Sequence, residues 1–484
     1  MRRRDCDAIV IGSGPNGLAA AITLARAGCS VRVLEANATI GGGARSAELT
    51  LPGFVHDLCS AIHPLALGSP FFRALPLEEA GLSWIQPPIA LAHPLDDGSV
   101  ACLWQELDQT AGSLGKDRRS YHRLMQPLAR DWQKLAAEFL RPILHFPRHP
   151  IALGRFGFNA IRPALSLAQS RFETAAARAL FGGIAAHSFL PLTAPGAAAF
   201  GLVLGAAGHA VGWPLPRGGA QAISNALAAY FRSLGGEIDT GCRIENLDQV
   251  PPARALLFDT TVWQFAAIAG EKLPRVYRRR LTNFPHAPGV FKIDYALSEA
   301  VPWRAKAGRL AGTLHLGGSL EEIAAGEQAV AAGAHPERPF VLVAQQSLFD
   351  PSRAPQGRQT LWAYCHVPWN SEVDMTEAIE RQIERFAPGF RDCILARQSA
   401  GSVELARSNP NLVGGDINGG ANDLWHLLAR PVVSPAPYRT RVPGIYLCSS
   451  STPPGGGVHG MCGFHAARVA LRDRFGIKVG PVPS

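Results

Sequence analysis

Paired cysteines, lysine and long apolar runs are all scarce in this chain of 484 residues, and each shortage excludes something. The 9 cysteines form no Cys-x-x-Cys pair and no Cys/His pattern with metal-ligand spacing, so neither a dithiol redox centre nor a zinc site is expected. His459 and Cys462 share one loop, but two ligands do not hold a metal, and none is expected. Scattered thiols suit a reducing compartment and a buried, unpaired existence. The most membrane-like window, Gly196 to Trp213, is weakly hydrophobic, rich in glycine and interrupted by His209, which favours a buried helix over a span. Of the 47 basic residues only 6 are lysine, so the net charge of +9 rests on arginine, clustered at Arg2-Arg3-Arg4 and Arg278-Arg279-Arg280. No nucleic-acid-binding motif accompanies that charge, and no nucleic-acid partner is expected. Two readings of it stay open, a solvated surface and attraction to an anionic membrane. Internal repeats and a long low-complexity tail are absent as well.

What is present begins at Asp7. An apolar run, Ala8-Ile9-Val10-Ile11, leads into Gly12-Ser13-Gly14-Pro15-Asn16-Gly17, then an Ala/Leu-rich helix to Ala27, and then Val31-Arg32-Val33-Leu34 ending on Glu35. Gly12 permits the tight turn out of the strand, Gly14 lets backbone amides approach a pyrophosphate, and Gly17 lets the helix pack on the sheet. The helix N-terminus faces the anion, with Pro15 and Asn16 in its first turn. Glu35, about 20 residues on, is positioned to accept a ribose hydroxyl, with Ala36 beside it. Met1 to Arg4 ahead of this apolar stretch superficially resembles a signal peptide. The stretch is already needed as the first strand and helix of the nucleotide fold, so export is not expected. These residues imply an ADP-containing dinucleotide.

Two further glycine blocks follow. Gly41-Gly42-Gly43-Ala44-Arg45-Ser46 sits just past the ribose carboxylate, and on residue chemistry alone it could be a flexible loop. Near the other end, the strand-like Gly444-Ile445-Tyr446-Leu447-Cys448 precedes Ser449-Ser450-Ser451-Thr452-Pro453-Pro454-Gly455-Gly456-Gly457-Val458-His459-Gly460 and an Ala-rich helix to about Arg472. Strand, glycine loop and helix N-terminus again make a site for negative charge. Leu51-Pro52-Gly53-Phe54, Gly212-Trp213-Pro214-Leu215-Pro216-Arg217-Gly218-Gly219, Leu361-Trp362-Ala363-Tyr364-Cys365-His366-Val367-Pro368 and Leu412-Val413-Gly414-Gly415-Asp416-Ile417 extend the pattern over nearly the whole chain. Together these blocks resemble the phytoene dehydrogenase-like FAD oxidoreductases, and within them the branch named for a pyridine-nucleotide-disulphide oxidoreductase-domain protein. The resemblance implies FAD as cofactor. It places Gly42, Gly43, Ala44 and Arg45 along the cofactor, and Ser449, Gly455, Gly456, Gly457 and Val458 at its flavin end. Ser449 departs from the glycine frequent at that position in the family.

The expected fold is α/β, a discontinuous Rossmann-like FAD-binding domain with a mixed β-sheet substrate domain and a helical cap, as in the amine oxidase and phytoene desaturase folds. Hydrophobic residues make up 47% of the chain, enough for a sizeable core. The expected division assigns 1–70, 206–288 and 409–484 to the FAD domain. Residues 71–205 carry the substrate domain with its cap, and 289–408 its sheet. Ile89 to Trp104 reads as a hairpin. Leu124, Leu128, Leu135 and Phe139 read as one helix ended by Pro142, and Gly218-Gly219 open another to about Leu234. Glu237-Ile238-Asp239 reads as a strand returning to the FAD sheet. Short runs at Val290 to Leu297, Phe340 to Gln346 and Thr360 to Val367 read as the substrate-domain sheet.

The resemblance implies a desaturase-like oxidoreductase that passes hydride from an apolar, polyene or isoprenoid-like substrate to flavin N5. His459 is the candidate catalytic residue, with a structural role bonding backbone as the alternative. Trp213, Arg217, Trp362, Tyr364 and His366 are candidate wall residues, with sheet packing as the alternative for the aromatic ones. Asp416 and Asn418 read as caps on backbone groups. A polyene isomerase without net redox, an amine oxidase-type enzyme and a flavoprotein with a binding role remain alternatives. A second Gly-x-Gly-x-x-Gly is absent, so nicotinamide would reach the site only by transient docking. The electron acceptor is left open among oxygen, quinone and nicotinamide. The expected location is the cytoplasm, with peripheral membrane contact as a variant of it.

Overall fold

The computed structural model describes residues 6–480, so the Arg2 to Arg4 cluster lies outside the described residues. Two sheets organise the chain. The first has five parallel strands in the order Ile445–Leu447, Ala255–Phe258, Ala8–Ile11, Val31–Leu34 and Glu237–Asp239. Helices cover both its faces, which is why Ala8–Ile11 is apolar throughout instead of alternating. Pro15–Arg26 and Met461–Ala470 pack on one face, and Val262–Ala269 with Arg275–Thr282 on the other. The two ends of the chain meet in the first of these layers. A Cβ on Gly463 would stand 1.8 Å from the Asn16 carbonyl oxygen, so only glycine lets the last helix seat against the first.

The second sheet has seven strands, in the order Ile394–Ala400, Gly289–Leu297, Gln359–Val367, Val341–Ala344, Ala311–Leu316, Ile89–Pro94 and Val100–Leu103. All neighbours are antiparallel except Ala311–Leu316 with Ile89–Pro94. One face buries Ile379, Ile383 and Phe386 of the helix Thr376–Phe386. The opposite face carries Leu342, Ala344, Trp362 and Tyr364 toward the helices Ala175–Ala186 and Ala197–Val211. This mixed α/β architecture agrees with the expected fold class.

The hairpin, the return strand Glu237–Asp239 and the helix Gln221–Ser233 form where expected. The helix expected through Leu124 to Phe139 is instead two, Arg118–Arg130 and Trp132–Phe139. They break at Asp131, whose carboxylate pairs with Arg130 and Lys134 at the turn. Helices Pro150–Ala160, Ala164–Arg171 and Ala175–Ala186 continue the cap. The window flagged as membrane-like forms the buried helix Ala197–Val211, and among the described residues no helix is long and apolar enough to cross a membrane.

Candidate functional site

The site begins where the first sheet presents its carboxyl ends. There the Gly12 to Gly17 turn crosses from strand to helix, with Pro15 at the first helical position, where its missing N–H costs nothing. A Cβ on Gly17 would lie 2.2 Å from the Gly12 carbonyl oxygen, and one on Gly14 would lie 2.5 Å from Asp259 Oδ2. The backbone is therefore bare on the side where an anion would approach. Gly42 stacks on Gly14, where a Cβ would come within 3.1 Å of the Gly14 Cα.

Glu35 is buried at the end of Val31–Leu34. One oxygen accepts from the Ser13 amide at 2.9 Å and the Ser13 hydroxyl at 2.6 Å, and the other from Asn37 at 2.8 and 3.0 Å. A carboxylate has about four acceptor positions, so a ribose hydroxyl would replace the rotatable Ser13 hydroxyl. Arg45 does not point along the cradle as a free cation. Its Nε donates to the Gly42 carbonyl at 2.8 Å and a terminal nitrogen to the Ser408 carbonyl at 2.9 Å, fixing the second glycine block from behind.

These residues line one continuous cavity of about 830 Å³. Gly12, Gly14, Pro15, Asn16, Glu35, Ala36, Gly42, Gly43 and Ala44 line it, as do Ser449, Gly456, Gly457, Val458 and His459. Gly17, Arg45 and Gly455 stand just behind that wall and shape it. Ser449 is buried with its side chain accepting from the Ser451 amide, and it needs no left-handed backbone, so serine serves where the family often has glycine.

The lining fits a large polar cofactor at this end. Asn16 Oδ1, Thr260 Oγ1, Thr261 Oγ1, Asn418 Nδ2 and His459 Nε2 are buried and have no partner. With His63 Nδ1 and Trp362 Nε1, seven such atoms belong to residues lining one cavity, an unusual concentration because buried polar groups are nearly always satisfied. His459 Nδ1 accepts from the Met461 amide at 3.1 Å, which leaves Nε2 as the free ring nitrogen. Burial holds this imidazole down to about 4, so it is neutral at neutral pH. Asp416, also on the lining, accepts from the amides of Ala287, Asn418 and Gly419, the capping role expected of it.

Away from the glycine loops the cavity becomes an apolar chamber. Trp213, Trp362 and Tyr364 line it as expected, joined by Phe189, Leu342 and Val203. Trp362 and Tyr364 meet edge to face at 5.0 Å and 78°, so they do not form a parallel sandwich. Arg217 is exposed and does not line the chamber. His366 stands behind the wall, its Nδ1 2.8 Å from Glu327 and its ring 4.0 Å from that of Phe189. Phe189 adopts φ 61°, a strained backbone for a non-glycine residue, at the chamber wall.

Several polar residues of the site were not foreseen from the sequence. Asp259 follows Ala255–Phe258 and accepts from the Gly17 amide at 2.8 Å, inside the nucleotide cradle. Burial, with Glu35 nearby, pushes its carboxyl well above the usual carboxylate range. A signal existed, because Ala-Leu-Leu-Phe followed by Asp-Thr-Thr is a strand feeding a helix N-terminus, but it lacks glycine. His187 lines the chamber and lies 3.0 Å from His315, nitrogen to nitrogen. Behind Trp362, a buried charge cluster joins Lys292 to Asp294, with His56 3.6 Å from Asp294 and Arg353 2.8 Å from Asp57. Burial raises Asp294 to about 6 against the pull of Lys292. All nine cysteines are unpaired.

Comparison with known proteins agrees with this geometry. Residues 10–73 match the NAD(P)-binding Rossmann-like domain family. The chain is 27% identical to pyridine nucleotide-disulfide oxidoreductase domain-containing protein 2 of Mus musculus, over 96% of this chain and 93% of that one. It is 29% identical to hydroxyneurosporene desaturase of Cereibacter sphaeroides, over 51% of this chain and 52% of that protein. A solved putrescine oxidase bound to putrescine superposes with a TM-score of 0.64 at 18% identity, covering 98% of this chain and all of that one. The whole-length likeness read from the glycine blocks is thus borne out: this chain has the amine oxidase-type oxidoreductase fold and is similar, end to end, to the pyridine nucleotide-disulfide oxidoreductase domain-containing protein 2 branch.

Proposed function

We propose that the chain is an FAD-dependent oxidoreductase that dehydrogenates an apolar, polyene or isoprenoid-like substrate. The observation that carries this reading is the continuity of a glycine-lined nucleotide cradle with an apolar chamber in a single cavity. FAD, when bound, would supply a hydride acceptor. The chain's residues supply binding and position. Gly12 and Gly14 leave room for the diphosphate, Glu35 accepts the ribose, and the Gly455 to Val458 loop borders the flavin end. Trp213, Trp362, Tyr364 and Phe189 exclude water and hold an apolar chain, and such orientation is worth several orders of magnitude in rate. His187 and His459 are neutral, because burial holds them to about 3 and about 4, so neither carries charge into the chamber. The similarity to a desaturase over half the chain supports the same substrate class.

An anaerobic absorbance titration tests the reading. The purified protein should carry bands near ~450 nm, the region expected of a redox flavin. Those bands should bleach with a polyene or isoprenoid pool and persist with short amines. Bleaching by amines alone would replace desaturation with amine oxidation. Product of unchanged mass would indicate isomerisation. A protein that takes up no flavin on reconstitution would refute the cofactor.

A further inference from the structure

The chamber has a mouth, and exposed apolar side chains gather at its rim. Ile143 and Ile161 line the chamber and are also 46% and 60% exposed, so the apolar interior runs out to solvent through them. Around them stand Leu144, Phe146, Ile151 and Phe158, with Phe146 93% and Phe158 70% exposed. On the facing side, Trp425 and Leu428 are exposed beside Leu424 and Leu427, which line the chamber. The two sides are neighbours. Leu424 packs where a Cβ on Gly196 would lie, and the Gly196 amide donates to the Ile161 carbonyl at 3.0 Å. A soluble surface rarely leaves such a contiguous patch open unless something covers it.

The charge around this rim has one sign. Residues 139–172 contain no Asp or Glu, but they carry Arg141, Arg148, Arg155, Arg162 and Arg171, and residues 424–472 contain no acid either. Arg148 and Arg155 are exposed. Of the carboxylates that flank these segments, Glu138 is buried and takes the amides of Arg148 and His149, Asp423 pairs with His426 and Asp473 with Arg439, while Glu173 is exposed next to Arg171. The other arginine cluster differs. On the helix Arg275–Thr282, Arg278, Arg279 and Arg280 surround one exposed apolar residue, Val276, and no chamber opens there. Apolar side chains ringed by arginine match an anionic bilayer, whose headgroups meet the cations while its acyl region receives the aromatics. A second copy of the chain would set arginine against arginine.

We propose that this rim docks on the surface of an anionic lipid bilayer and that apolar substrate passes from the bilayer through the mouth into the chamber. The entry role rests on the proposed function, but docking does not, and the two can fail separately. The test is flotation of the full-length protein with phosphatidylcholine vesicles containing or lacking 30% phosphatidylglycerol, at low and high salt. Wild type should float with the anionic vesicles and release with salt. Phe146→Ser/Phe158→Ser and Arg148→Glu/Arg155→Glu should each lower partitioning about tenfold or more, through lost apolar burial and lost charge respectively. Arg278→Glu/Arg279→Glu/Arg280→Glu should leave it unchanged. Absence of flotation at low salt, equal flotation of the rim variants, or loss confined to the Arg278 to Arg280 variant would each overturn docking at this mouth. So would light scattering that shows a dimer split by Phe146→Ser/Phe158→Ser. Vesicle binding without flavin bleaching would leave docking intact and refute the proposed reaction.

Discussion

Asp259 puts a carboxyl where a diphosphate would be cradled, and its protonation should be felt in cofactor affinity. Its Oδ2 accepts the Gly17 amide, while burial and Glu35 raise its pKa. As pH rises through that raised value the group becomes an anion beside an anionic ligand, so FAD affinity should fall with rising pH. Asp259→Asn keeps an acceptor for Gly17 and removes the titration. Fluorescence titrations with FAD over a series of rising pH values should show wild-type affinity falling and the variant nearly flat. Parallel slopes would exclude Asp259 as the cause. At this scale, legibility followed distance along the chain. Glu35 is readable because its partners Ser13 and Asn37 lie within one βαβ unit, whereas Asp259 reaches Gly17 across 242 positions.

At the scale of elements, glycine has opposite meanings in different helices. Gly463 lies where the last helix crosses the first, and any side chain would overlap the Asn16 carbonyl. Gly112, in the short helix Leu107–Ser113, has open space around its missing Cβ. Gly463→Ala should therefore destabilise by about 3 kcal/mol or more through overpacking. Gly112→Ala should stabilise by up to about 1 kcal/mol through helix propensity. Chemical denaturation midpoints of the two variants should move in opposite directions, and a Gly463→Ala midpoint equal to wild type would contradict the packing seen here. The strands missed in the sequence have similar local explanations. Ala311–Leu316 is buried on both faces and contains glycine and histidine, so it shows no alternation. Ile394–Ala400 is an edge strand whose exposed residues, Leu395, Arg397 and Gln398, mix apolar and polar without a clean alternation. Neither pattern announces a strand until its neighbours are known.

The molecule as a whole carries many histidines that are neutral because they are buried. Burial holds His56, His187 and His465 to about 3, and His63, His93, His209, His286 and His459 to about 4. An unfolded imidazole titrates near ~6.5, so between about 4 and 6.5 the unfolded chain binds more protons at these sites. Stability from this source is present above about 6.5 and is lost as pH falls toward 4. Asp294 and Asp416, raised to about 6, and Asp259, raised well above the carboxylate range, act in the opposite sense over part of that window, but they are three against nine once His315, also held down by burial, is counted. Thermal melts at saturating FAD should show Tm falling by about 10 °C or more from pH 7.5 to pH 5. A Tm that rises on acidification would mean that the carboxyls dominate. Sequence alone determined the nucleotide cradle, since strand, glycine turn, helix and carboxylate follow one another within thirty residues and their geometry is local. It also carried the C-terminal glycine loop and most of the second sheet. Tertiary structure alone decided that Asp259 enters the cradle, that Arg217 and His366 leave the chamber wall, and that the chamber opens through a rim of apolar residues and arginines. Those outcomes depend on which distant segments share a surface, and packing of residues 139–204 against 342–364 and 410–427 settles that, not any period along the chain.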